Sequence, residues 1–196
     1  MKIILIVLII VLSGCSEQPT DNELPMEPKE NKPSIELINS TIKIVSDNFK
    51  QQPIEDSETM DNVGFVSLKY DFELKNNGEN DYKVYHGSQT SEIDVETITL
   101  TIEPSPGLTA FASEVTGVNL FSDNNNGGSF SFSSSILSPN EKGHYSIEYI
   151  LGSIIKVPEM ALSPSKEKLN ELQEKATKAN LVIYYQNEEI QRFELN

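Results

Sequence analysis

The chain has 196 residues and sets 15 Lys and Arg against 30 Asp and Glu, a formal net charge of -15. That is length for one ordinary domain with an appendage, and so acidic a chain repels phosphate backbones, which argues against a nucleic-acid partner. Hydrophobic residues make up 37%, including 8 Phe and 7 Tyr, so a packed core is within reach and wholesale disorder is excluded.

The N-terminus carries the most specific signal. Met1-Lys2 supplies a positive charge, residues 3–12 form an unbroken apolar run, and the small residues Ser13 and Gly14 precede Cys15. An apolar run of this length falls short of the roughly 20 residues a bilayer-spanning helix needs. A charged start, a short apolar stretch and small residues describe a secretory signal peptide, here residues 1–14, removed before the mature domain folds.

Leu12-Ser13-Gly14-Cys15 resembles the lipobox of bacterial lipoproteins. The resemblance implies cleavage between Gly14 and Cys15 and a thioether-linked diacylglycerol on Cys15, which becomes the first residue of the mature chain. Cys15 is the one cysteine, and lipidation accounts for a thiol that would otherwise be left over in a secreted protein. Two acyl chains hold a protein firmly at a membrane, so the expected location is the extracytoplasmic face of the cell membrane.

Residues 15–33 read as the lipidated cysteine followed by a tether. From Ser16 to Pro33 there are four prolines and five acidic residues, with Leu24 and Met26 as the only large apolar side chains. Such a segment cannot pack a core; as an extended chain it would reach roughly 50 Å. It is expected to hold the domain of residues 34–196 away from the membrane.

Within that domain the clearest strand is the alternation Val66, Leu68, Tyr70, Phe72 and Leu74 with Ser67, Lys69, Asp71, Glu73 and Lys75 between them, the pattern of a half-buried antiparallel strand. Asn76-Asn77-Gly78-Glu79-Asn80-Asp81 supplies turn chemistry, and residues 82–85 resume, which predicts a hairpin. Further strands are expected at 41–45, 96–103, 109–112, 115–121, 129–136, 144–151, 181–186 and 190–195, the last two joined through Asn187-Glu188-Glu189. Ile93 and Val95 have the opposite parity to Ile98, Leu100 and Ile102, which predicts a bulge or loop near Glu96 and Thr97.

One helix is expected after Ser163 as N-cap and Pro164 at the first helical position. Leu169, Leu172, Ala176 and Ala179 form its apolar stripe and Asn180 its end. Short strands at regular spacing with one connecting helix predict an all-β, immunoglobulin-like antiparallel β-sandwich carrying one surface helix. The run from Phe72 to Gly78 is similar to strand-and-turn segments of extracytoplasmic immunoglobulin-like domains in bacterial lipoproteins. The antibody-type trio of Cys, Trp and Cys is absent, since the chain has no Trp and no second Cys.

Candidates for chemistry meet local explanations. His86 and His144, the two imidazoles, both fall at strand ends beside glycine and lack a recognisable partner motif for general-base work. Ser163-Pro164-Ser165-Lys166 matches the S-x-x-K pattern of penicillin-recognising serine enzymes, but Ser-Asp-Asn occurs only upstream, at Ser46 and Ser122, and Lys-Thr-Gly is missing. Asp123-Asn124-Asn125-Asn126-Gly127-Gly128 begins like a calcium loop and then fails at its fifth position, Gly127, and its twelfth, Ser134.

Glu55, Asp56, Glu58 and Asp61 form one acidic group, and Glu92, Asp94 and Glu96 another whose alternation would suit a hard cation; both read first as solvated surface. Tyr82, Tyr85, Tyr184 and Tyr185 are candidate aromatic platforms. No His or Cys pair has zinc-ligand spacing, and no glycine-rich phosphate loop occurs. The expectation is therefore a non-catalytic binding module with no cofactor and no resident metal, meeting an envelope protein or a small ligand. Its rivals are a solute- or metal-binding receptor serving a transporter, and an envelope hydrolase.

Overall fold

The computed structural model describes residues 32–48, 64–86, 96–122, 128–156, 158 and 160–195. The strands are β1 (Ile35–Asn48), β2 (Gly64–Asn76), β3 (Tyr82–His86), β4 (Thr97–Pro104), β5 (Gly128–Phe132), β6 (Ile136–Leu137), β7 (Lys142–Ser153), β8 (Ala179–Tyr185) and β9 (Glu188–Leu195). Helix α1 (Pro106–Thr116) follows β4, and α2 (Lys166–Ala176) precedes β8. The strands form a four-stranded sheet in the order β1-β2-β7-β5 and a five-stranded sheet in the order β6-β3-β4-β8-β9. Asn31–Asn196 constitute one compact unit.

Period-2 patterning explains how the two sheets meet. Val66, Leu68, Tyr70, Phe72 and Leu74 of β2 are all buried, with Tyr145, Ile147 and Tyr149 of β7 beside them on the same face. The second sheet contributes Ile98, Leu100 and Ile102 from β4 and Leu181 and Ile183 from β8, and all of these belong to one apolar cluster. Two inward faces sharing one core make a β-sandwich. Each such side chain taken out of water contributes roughly 1.5–3 kcal/mol before entropy opposes it.

The structure corrects several local expectations. Residues 109–112 and 115–121 are not two strands: residues up to Thr116 lie in α1. Ser105 caps this helix, accepting from the Leu108 N–H at 3.3 Å, and Pro106 sits in its first turn. Leu108 and Ala112, four apart, are buried on the core, and Gly117 ends the helix at φ 78. The sandwich thus carries two helices rather than one. Helix α2 is capped by Ser165 and stops at Thr177, not at Ser163 and Asn180. Ser163 is held elsewhere, because its N–H donates to the Ser153 carbonyl at 2.8 Å.

The predicted hairpin of residues 66–75 with 82–85 does not form. β2 pairs with β1 and β7, whereas β3 lies in the other sheet, between β6 and β4. The intervening turn is a corner between sheets, organised by Asn76. Its side-chain amide donates to the carbonyls of Asn80 (2.7 Å) and Leu137 (3.0 Å), and its oxygen accepts the Gly78 N–H (2.8 Å). Likewise residues 129–136 divide between β5 in one sheet and β6 in the other. The β3–β4 pair runs parallel, a departure from the all-antiparallel expectation, with His86 opposite Leu100. The β8–β9 hairpin does form, turning through Gln186 (φ 51) and Asn187 (φ 65), so Glu188 and Glu189 belong to β9.

Helix α2 also finishes a sheet edge. The Ile44 N–H donates to the side-chain oxygen of Gln173 at 3.3 Å, and the Gln173 amide donates to the Ile42 carbonyl at 3.4 Å. One side chain thereby replaces part of a missing neighbouring strand along β1.

One core polar atom is left over. The Tyr145 hydroxyl is buried without a hydrogen-bond partner, and burial pushes its acidity down to a pKa of about 12. An orphaned buried hydroxyl destabilises the folded state. Tyr145→Phe is therefore expected to leave stability unchanged or raise it by up to about 1 kcal/mol, read from urea-denaturation midpoints. A loss above about 1 kcal/mol would show that the hydroxyl has a partner.

Candidate functional site

His86 is a half-buried imidazole held among aromatic rings. β3 ends at His86, and parallel pairing with β4 brings its ring to the Leu100 carbonyl, 2.9 Å from Nδ1. A carbonyl only accepts, so Nδ1 carries the proton in this contact. The ring lies against Tyr149 edge-on (6.5 Å between centroids) and against Phe130 (6.0 Å). Phe121 adds a contact to Tyr149 at 4.9 Å. Gly128 permits this closeness: a side chain there would begin 3.1 Å from His86 Nε2 and 3.3 Å from Tyr149.

Burial among these rings lowers the His86 pKa, outweighing the Leu100 hydrogen bond that favours the charged form. Burial likewise raises the phenol of Tyr149 well above its ordinary value. A base with a depressed folded-state pKa stabilises the fold fully above its unfolded value, near 6.5, and that stabilisation declines as pH falls through the window below it. Between pH 7.5 and 5.5 the native chain is expected to lose more stability than His86→Phe, as followed by urea-denaturation midpoints. Equal losses in the two chains would contradict this role for His86.

His144 is not brought to the same place. It is exposed on β7, its N–H donating to the Ser133 hydroxyl at 3.0 Å. The S-x-x-K residues are also separated: Ser163 precedes helix α2 and donates to the Pro164 carbonyl at 3.2 Å, while Lys166 begins the helix and is exposed. The one-turn helical spacing needed for Lys166 to activate Ser163 is therefore absent. Ser122 donates to the Asn119 carbonyl at 3.2 Å, and Ser46 is exposed on β1.

Of the four tyrosines, Tyr82 and Tyr185 are core residues in edge-to-face contact at 6.1 Å. Tyr85 and Tyr184 are half-buried and flank Thr99 in register, giving a short row across β3, β4 and β8.

Cys15 and Gly14, the acidic group from Glu55 to Asp61, Glu92 and Asp94, and residues 123–127 lie outside the described residues. Glu96 is exposed and accepts from the Asn80 side chain at 3.1 Å. Among the described residues no group of three or more His, Cys, Asp or Glu side chains is placed to hold a metal ion. Among them, too, no helix is long and apolar enough to cross a membrane.

The most elaborate polar cluster lies on the outer face of the four-stranded sheet. Asp71 receives Lys43 at 2.7 Å, Lys69 at 3.1 Å and the Ser146 hydroxyl at 2.5 Å. Partial burial works to raise its pKa, but the hydrogen bonds from Lys43, Ser146 and Lys69 outweigh it and hold the carboxyl below its ordinary range. Its chemistry is that of a cross-strand ion pair, with the carboxylate already neutralised by two ammonium groups.

Sequence reasoning located His86 at a strand end but missed the aromatic surroundings. The available signal was the Phe130 and Phe132 alternation, which places both rings on the core side of β5 opposite Ile147 and Tyr145. No protein-family model, curated protein or solved structure matches this chain.

Proposed function

We propose that this chain is a membrane-anchored lipoprotein of the cell envelope, held at the extracytoplasmic face by a diacylglycerol on Cys15. Its sandwich acts as an immunoglobulin-like, non-catalytic interaction module for an envelope protein or small ligand. The observation that carries this reading is the N-terminal sequence: Lys2, the apolar run of residues 3–12, and Leu12-Ser13-Gly14-Cys15. A proline-rich acidic segment then leads to a separate compact unit, the order of parts that a tethered domain requires.

The placed side chains support binding over catalysis. The His86 Nδ1–H is committed to a backbone carbonyl, the Ser163 hydroxyl to another, and Asp71 to two lysines. None of these arrangements pairs a nucleophile with a base.

Feeding producing cells an alkyne-bearing palmitate tests the anchor. The native chain is expected to become labelled and Cys15→Ala to remain unlabelled. Absence of label in the native chain, or equal label in both, would refute the anchor.

A further inference from the structure

Two Asn-Gly pairs occur in the chain, Asn77-Gly78 and Asn126-Gly127, and the first lies among the described residues. This is the dipeptide in which an asparagine most readily loses its amide, because glycine has no Cβ to shield its nitrogen or to restrict the backbone as it turns back on the preceding side chain. In that reaction the Gly78 nitrogen gives up its proton and bonds to Asn77 Cγ, the bond from Cγ to Nδ2 breaks, and ammonia leaves with the proton. Water then opens the cyclic imide to an aspartate or to its β-linked isomer. The step needs only water and no oxidant or reductant.

In the folded corner both reacting groups have other partners. The Gly78 N–H donates to Asn76 Oδ1 at 2.8 Å, so the nitrogen that must attack is engaged. The Asn77 amide that must leave donates to Glu36 Oε2 at 2.9 Å, which turns the side chain toward β1. Between them the Asn77 N–H donates to the Ser34 carbonyl at 2.8 Å and fixes the backbone. Asn77 is itself exposed and water reaches it, so these bonds, not burial, stand between the pair and the reaction.

We propose that Asn77 is a deamidation site kept closed by these hydrogen bonds, so that opening of the corner between β2 and β3 is recorded there as a permanent negative charge. Asn76 is the guard: it is fully buried, and the same side chain that binds Gly78 also holds the carbonyls of Asn80 and Leu137. The product does not fit the corner it came from. A carboxylate at position 77 replaces a donor to Glu36 with a like charge at the start of β1. The β-linked isomer also lengthens the main chain between residues 77 and 78 by one carbon, which draws the Gly78 N–H away from Asn76.

The test follows conversion at Asn77 by peptide mass spectrometry in the full chain, held in mild non-ionic detergent and mildly alkaline buffer. Each rate is taken relative to the same chain denatured in urea at the same pH. The native chain is expected to convert at least about tenfold more slowly than its denatured form, tenfold being the rate equivalent of about one hydrogen bond. Asn76→Ala, with folding checked by circular dichroism, is expected to recover most of the lost rate. Asn76→Ser loses the donations to Asn80 and Leu137 but keeps an oxygen that accepts from the N–H two residues on, and is expected to fall between the two. The comparison of native with denatured chain needs no variant and stands if Asn76→Ala does not fold. A native rate equal to the denatured one would overturn the proposal, as would a folded Asn76→Ala no faster than native. Equal rates in Asn76→Ala and Asn76→Ser would overturn it too, since protection would then not follow the bond to Gly78.

Discussion

Asn76→Ala is expected to lower folding stability by about 3 kcal/mol, because the substitution breaks three hydrogen bonds at a position with no solvent exposure. The groups left behind are the Gly78 N–H and the carbonyls of Asn80 and Leu137, so the loss falls on the corner that takes the chain from β2 to β3 and on β6. Backbone bonds at the same residue add to its role: its N–H donates to Glu141 at 3.1 Å, and its carbonyl accepts from Asn140 at 2.7 Å. These survive in alanine, which confines the effect to the side chain. Asn76→Asp keeps the acceptor but replaces two donations with a buried negative charge facing two carbonyls, and is expected to be at least as damaging at neutral pH. Urea-denaturation midpoints measure both. A loss below about 1 kcal/mol for Asn76→Ala would mean that water replaces the amide and that the corner is not organised by it.

Gly152→Ala is expected to be equally severe, at about 3 kcal/mol or more, for reasons of shape instead of hydrogen bonding. Gly152 lies at φ 150, and a Cβ there would stand 2.8 Å from the Ala161 carbonyl oxygen and the Ser163 nitrogen and 2.9 Å from the Leu162 carbonyl carbon. All three contacts are backbone and have no rotamer to change. The strap of residues 160–163 is pinned against β7 by Ser153, whose N–H donates to Ala161 at 2.9 Å and whose carbonyl accepts from Ser163 at 2.8 Å. The buried Ser153 hydroxyl adds a bond to the Ile155 carbonyl at 2.6 Å. A Cβ at position 152 therefore forces the strap away or strains β7. Gly107→Ala is the internal comparison, since nothing lies within 4 Å of a side chain there; in the first turn of α1 it is expected to be neutral or stabilising by about 0.5–1 kcal/mol. Similar midpoints for the two alanine variants would contradict the packing described for Gly152.

How far these features were legible in sequence depends on how local their causes are. The β2 alternation was legible because a single residue's parity decides which face it takes, and Leu68, Tyr70, Phe72 and Leu74 all face the core. Its partner strand was not. Asn76 to Asp81 has the same turn chemistry whether the chain doubles back or crosses to the opposite sheet, and the decision rests with Leu137, far along the chain. The parallel alignment of β3 and β4 is non-local in the same way.

Helix α1 was legible in principle. Ser105-Pro106 is the same cap-and-first-turn pair that was read at Ser163-Pro164, but Thr109 and Val115 favour strands by propensity, and burial of Leu108 and Ala112 overrides that preference. At Ser163-Pro164 the opposite occurred: a good local cap lost Ser163 to a backbone bond with Ser153, and Ser165 took over. The His86 site shows the same division. Its position at a strand end is local, whereas its ring contacts come from Phe130 and Tyr149, with Phe121 behind, on segments remote in sequence.

The anchor at Cys15 remains the claim on which compartment and topology depend, and intact-mass analysis of the membrane fraction tests it most directly. The account predicts a chain that begins at Cys15 and carries the mass of a thioether-linked diacylglycerol, with that species lost in Cys15→Ala. An unmodified chain that begins at Met1, or one cleaved elsewhere with a free thiol at Cys15, would contradict it.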